Sequence, residues 1–321
     1  MLFKNIPNTI ASNNLPDFLF KEDLLITKFL NEQDVSESTR KIYQRTIKKY
    51  FKFLKDKEIS LSEVDREILI NYKEFLIHED LSVSTINGYL IVVRLFYQWT
   101  ENREIFPNIA RGIKILKRKQ GIHRKQHLTK TNSQELLEQY SDKEKLLSLR
   151  NFAIINLMLR TGLRGIEVTR IRISDISWKY GKRILKVQGK GKIDKEDYII
   201  LTNKAYVPIL NYLQARENRD SIDYIFVSTS NNSKGKVIST RTIREIVKKA
   251  MIEIGLDGKE FSAHSLRHTT AVNILKAGGH TDDAQKLLRH LNPATTMIYT
   301  NTLEEEERFK NPVENLLDDM I

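Results

Sequence analysis

Four short segments hold the residues that could do chemistry. The densest is Ala263-His264-Ser265-Leu266-Arg267-His268-Thr269. His264 and Arg267 stand three apart, so at a helix start they share one side. Unpaired backbone N–H groups and the helix dipole favour an anion there. The second segment is Leu287-Leu288-Arg289-His290, with Tyr299 nine residues beyond the histidine. The third runs Thr161-Gly162-Leu163-Arg164-Gly165-Ile166-Glu167. Gly162 can supply the backbone freedom of a turn, Arg164 then projects, and Glu167 can help hold it. The fourth is Lys190 in Gly189-Lys190-Gly191-Lys192. One at a time these are ordinary. H-x-x-R serves equally as a surface pair, a lone tyrosine as a core aromatic, and Lys190 as an exposed turn lysine.

The elements that must position them are mostly helical. Ser36 to Thr39 offer caps before Ile42, Tyr43, Ile47, Tyr50, Phe51 and Leu54, spaced as one helix face requires. The other face carries Arg40, Lys41, Arg45 and Lys48 among other cations. Further helices are expected at Asp65–His78 and from Ser82, with Ile86, Leu90, Val93 and Phe96 inward. The expected divisions are an irregular segment at 1–20, a helical domain at 21–106 and a basic linker at 107–130. A mixed domain at 131–303 and a final helix at 304–321 follow. In the mixed domain, β-branched and aromatic residues at Ile184–Val187 and Tyr198–Leu201 read as strands. Gly189–Lys192 is the hairpin tip between them.

Composition narrows the partners. The 321-residue chain is long enough for two cores, and its 40% hydrophobic content suits a packed protein. Fifty-three Lys and Arg against 41 Asp and Glu give +12, a surplus suited to a polyanion. Residues 111–130 contain eight Lys or Arg and no acid, including Lys117, Arg118, Lys119, Arg124 and Lys125. Such a run repels itself and stays extended, either along a phosphate backbone or as a solvated strap. There is no cysteine, which excludes disulfides, thiol catalysis and Cys-based zinc sites. No signal peptide or membrane span is expected, and the chain is expected in the cytoplasm. His123, His127 and His280 lack a partner pattern and read as ordinary polar residues.

Together and in this order, the segments resemble the catalytic domain of tyrosine recombinases, the phage integrase family. Length and the helical first domain are similar to its Xer-type branch. The shared pattern is Arg164 in TGLR-x-x-E, Lys190 in GKG, His264 and Arg267 in H-x-L-R-H, His290 in L-L-x-H, and Tyr299. The resemblance implies a mainly α fold with a small β hairpin or sheet (α+β). A helical, SAM-like core-binding domain and a catalytic domain would form a C-shaped clamp on DNA.

It also implies roles. Tyr299 is the nucleophile, Lys190 the general acid and His264 the base. Arg164, Arg267 and His290 clamp the phosphate, while Glu167 and His268 support them. A guanidinium forks onto phosphate oxygens, and a tyrosine with a pKa near 10 needs a base or a positive pocket. The product would be a 3′-phosphotyrosine, attacked by a 5′-hydroxyl from another duplex through a Holliday junction, with no metal or organic cofactor. Implied partners are double-stranded DNA with paired inverted-repeat sites and further protomers, as a homotetramer or a heterotetramer with a related recombinase. The C-terminal segment would dock in trans. DNA contacts are expected from Arg40, Lys41, Arg45, Lys48, Lys117, Arg118, Lys119, Arg124 and Lys125. Competing readings are a type IB topoisomerase-like enzyme, a non-cutting DNA binder and an architectural protein. The full set of six groups argues against the last two. One departure is Arg289, where the family often has glycine; another is the loose Gly278-Gly279-His280.

Overall fold

Side-chain caps set most of the helix starts. Ser36, Asp65, Ser82, Thr129 and Ser239 each accept a hydrogen bond from the backbone N–H three residues on. The computed structural model describes residues 15–117, 126–140, 145–189, 191–192, 194–216, 222–318 and 320, with backbone only for 15–21. The chain divides into two units, Met1–Lys119 and Gln120–Ile321.

The first unit holds α1 (Leu15–Asn31), α2 (Glu37–Asp56), α3 (Arg66–His78) and α4 (Val83–Asn102). Helix α1 starts at Leu15, inside the segment expected to be irregular. Its core is aromatic. Phe29, Tyr50, Phe51, Phe96 and Tyr97 meet edge to face at 5.4–6.2 Å, and the Tyr50 and Tyr97 hydroxyls bond at 2.8 Å. Ile42, expected on the buried face of α2, is 53% exposed because the core covers only the later turns.

Both ends of the expected basic linker pack against a core. Ala110 and Ile113 are buried in the first core. The Asn87 side chain clasps the Leu116 backbone, accepting from its N–H at 2.8 Å and donating to its carbonyl at 2.9 Å. At the other end Leu128 is buried in the second core, and its N–H donates to Thr269 Oγ1 at 2.8 Å. Apolar residues at these three positions override the charge around them.

The second unit holds α5 (Lys130–Glu138), α6 (Leu146–Thr161), α7 (Gly165–Arg170), β1 (Ile176–Lys179), β2 (Lys182–Val187) and β3 (Asp197–Ile200). There follow α8 (Asn203–Ala215), α9 (Thr240–Glu253), α10 (Ala263–Lys276), α11 (Thr281–Leu288), α12 (Ala294–Lys310) and α13 (Asn315–Asp318). The strands form an antiparallel sheet in the order β1-β2-β3, with Ile176 opposite Leu185 and Leu185 opposite Ile199. Its inner face, including Leu185, Val187 and Ile199, joins the core with α6 and α8. The β1–β2 turn is Tyr180-Gly181, both at positive φ, the conformation a two-residue hairpin needs.

Helix α10 runs through the middle, buried without interruption from Ser265 to Val272. Helix α12 continues past residue 303 to Lys310, so no separate helix begins at 304. Nothing between Tyr299 and Phe309 breaks it; Pro312 follows just after its end.

Candidate active site

Gly162 ends α6 in the left-handed conformation, φ 62° and ψ 21°. A Cβ there would overlap Leu288 Cδ2, so glycine also lets the end of α11 pack close. The chain then turns through buried Leu163 to Arg164, which is extended and leads into α7. Glu167, on the first turn of α7, is fully buried. Its carboxylate accepts from the Arg164 backbone N–H at 2.8 Å and from Arg164 Nη1 at 2.8 Å.

Arg267 comes from α10 and is 4% exposed. Its Nη1 donates to the Gly162 carbonyl and its Nη2 to the Leu288 carbonyl, both at 2.5 Å. Those carbonyls lie at the C-terminal ends of α6 and α11, where helices leave acceptors unfilled and carry negative potential. Burial and the neighbouring Arg164 lower its pKa to about 10, which leaves it charged at neutral pH.

His290 follows α11. Its Nδ1 lies 2.9 Å from the hydroxyl of Thr296, a fully buried residue on the first turn of α12. Burial, then Arg267, Arg164 and Arg289, push its pKa down to about 4, so the ring is neutral at pH 7. Tyr299 lies about one turn beyond Thr296 and is 5% exposed. Its ring stacks on His290 (6.1 Å between centroids, 21° between planes) and tilts against His268 (5.0 Å, 37°). Burial raises the phenol pKa, while Arg267 and Arg164 pull it back.

Arg164, Glu167, Arg267, His268, His290 and Tyr299 therefore converge from α7, α10, the end of α11 and α12. A cleft of about 740 Å³ opens beside them, lined by Arg164, Arg289, His290, Gly189 and Lys192. Arg164 and Arg289 pair with one buried carboxylate and Arg267 lies within its electrostatic reach, so the cluster keeps a positive surplus that suits an anion. His264 is exposed on the first turn of α10. Lys190 lies outside the described residues, as do His123, Arg118, Lys119, Arg124 and Lys125. Lys41, Arg45, Lys48 and Lys117 are exposed; Arg40 is half-buried and donates to the Gln33 carbonyl at 3.3 Å. Among the described residues no acidic or histidine cluster could hold a metal ion, and no helix is long and apolar enough to cross a membrane.

Three side chains have partners that the sequence does not signal. Thr296, six residues after His290, gives no signal of its own. Arg289 folds back to Glu167, with Nη2 at 2.9 Å from Oε2, rather than standing beside His290 as a loose cation. His127, read as an ordinary polar residue, pairs with Glu306 at 3.0 Å and meets the His268 ring edge to face.

Comparison with known proteins agrees over both units. Residues 126–306 match the Phage integrase family, and residues 23–104 match its N-terminal SAM-like domain. Tyrosine recombinase XerC of Thermodesulfovibrio yellowstonii is 29% identical over 288 residues, covering 86% of this chain and 91% of that protein. Tyrosine recombinase XerD of Oceanobacillus iheyensis is 27% identical, covering 84% and 89%. Among solved structures, XerH recombinase in a post-cleavage complex with difH DNA superposes with a TM-score of 0.69 at 18% identity, covering 96% of this chain and 91% of that one. A lambda integrase dimer on a core site gives 0.66 at 17%, covering 89% and 94%. The chain belongs to the phage integrase family: it is a Xer-like tyrosine recombinase, of the enzymes that break and rejoin DNA strands.

Proposed function

We propose that Tyr299 cuts DNA at paired inverted-repeat sites and that the strands are then exchanged between duplexes. The carrying observation is the setting of its ring, against His290 and His268 and within the field of Arg267 and Arg164. Tyr299 Oη attacks the scissile phosphorus and loses its proton to His264. The bond to the 5′-oxygen breaks, Lys190 gives that oxygen a proton, and a 3′-phosphotyrosine remains. Arg164, Arg267 and neutral His290 hold the nonbridging oxygens, where charge develops. A 5′-hydroxyl from the second duplex reverses the step and restores the phosphodiester. The bond energy is conserved, so no ATP is consumed.

Two jobs use this chemistry: resolving dimers of chromosomes or plasmids, and integrating or excising a mobile element. In either, protomers work together on DNA as a homotetramer or with a related recombinase. The end of the chain suits docking on a neighbour, since Phe309, Val313, Leu316, Leu317 and Met320 are 57–83% exposed. That apolar tail weighs against a topoisomerase acting alone.

The test uses a duplex selected from a randomised inverted-repeat library for binding to the wild-type protein, nicked near the cut. Wild type should give a covalent adduct on denaturing gels, and Tyr299→Phe should bind the same duplex without one. An adduct persisting in Tyr299→Phe would remove Tyr299 as nucleophile.

A further inference from the structure

Arg289 caps α11 in the left-handed conformation, φ 55° and ψ 49°. That backbone explains why glycine suits the position, and an L side chain there costs about 1–2 kcal/mol. The arginine is nevertheless held at both terminal nitrogens. Nη1 donates to the Leu287 carbonyl at 2.8 Å and Nη2 to Glu167 Oε2 at 2.9 Å, with the side chain only 8% exposed. The same carboxylate already serves Arg164, through Oε1 to Nη1 and through Oε2 to the backbone N–H. One buried anion thus lies between two guanidinium groups.

The charge balance follows. Arg164 with Glu167 alone would be a neutral pair at the mouth of the cleft. With Arg289 the cluster keeps one positive charge, and only Arg164 of the two arginines has a substantially exposed side chain, at 25%. We propose that Arg289 is a positioning residue for strand cutting: it neutralises Glu167, so that Arg164 meets the scissile phosphate as an uncompensated cation. This rests on the strand-cutting reading above. The charge of Arg289 also reaches the other phosphate-facing groups, since it helps hold down the pKa values of Arg267 and His290. Lysine would serve less well, because a single ammonium lacks the planar fork that reaches Leu287 and Glu167 together.

The test compares wild type, Arg289→Gly and Arg289→Lys on the nicked selected duplex. It is run with an ordinary scissile phosphate and with a methylphosphonate, which lacks the negative charge. Glycine accepts the backbone conformation, so Arg289→Gly isolates the side chain. Adduct formation by Arg289→Gly should slow about tenfold on the phosphate, less than loss of a direct donor, and match wild type on the methylphosphonate. Arg289→Lys should fall between and carries the same comparison if the glycine variant does not fold. An equal slowing on both substrates would make Arg289 merely structural, and no slowing on the phosphate would also overturn the proposal. Absence of any Tyr299-dependent adduct in wild type would instead sink the strand-cutting reading.

Discussion

Replacing Glu167 with alanine tests how far the site depends on its buried anion. The carboxylate is fully buried and accepts three hydrogen bonds, two from Arg164 and one from Arg289. Removing one partner of a buried ion pair costs about 3–5 kcal/mol. Arg164 is 25% exposed and can turn to water, whereas Arg289, at 8%, cannot. The lower end, about 3 kcal/mol, therefore describes the loss at Arg289. The orphaned Arg164 N–H adds about 1 kcal/mol. A total of about 4 kcal/mol lowers the melting temperature of a domain this size by about 8–16 °C. Calorimetry should show that shift in the transition of the catalytic domain. Glu167→Gln keeps an acceptor for the N–H and should lose about half as much. A Glu167→Ala protein melting within about 2 °C of wild type would refute the reasoning, because the arginines would not then need the carboxylate.

Three other outcomes are expected. Gly162→Ala places a Cβ against Leu288 and strains a left-handed residue, so it should destabilise by about 2–3 kcal/mol, seen in urea unfolding. His290 has a folded pKa near 4, below its value of about 6.5 in the unfolded chain. The unfolded state then binds more protons between those values, so this contribution is complete above about pH 6.5 and is lost as pH falls toward 4. His290→Gln should flatten that part of the stability–pH curve; an unchanged slope would contradict the assignment. Lys48, exposed on α2, is proposed to meet a phosphate, and Lys48→Ala should reduce the slope of log affinity against log salt by about 0.9. An unchanged slope would remove it from the interface.

The sequence made most helices legible because their caps and apolar faces are local signals. Ser36, Asp65 and Ser82 mark starts that the structure keeps. Strand β1 gives little signal because Ile176–Lys179 is only four residues long, although Gly181 after it marks a turn. The packing of Ala110, Ile113 and Leu128 at the ends of the linker is hard to read because the surrounding cations dominate the pattern. Within the site, residue order carried the recognition of Arg164, Arg267, His290 and Tyr299. Their mutual geometry did not follow from order. The Arg289–Glu167 contact joins residues 122 apart, and no local pattern encodes it. The continuous burial of Ser265–Val272 also hides any face that would show where Arg267 points.

The central claim is that the Tyr299 oxygen becomes bonded to the 3′-phosphate of DNA. Trapping wild-type protein on the nicked selected duplex, digesting both partners and sequencing the adduct by mass spectrometry tests this directly. The expected result is a nucleotide 3′-phosphate on the peptide containing Met297-Ile298-Tyr299-Thr300, with the mass on Tyr299. A nucleotide on another residue, or on the 5′ side of the break, would contradict the account.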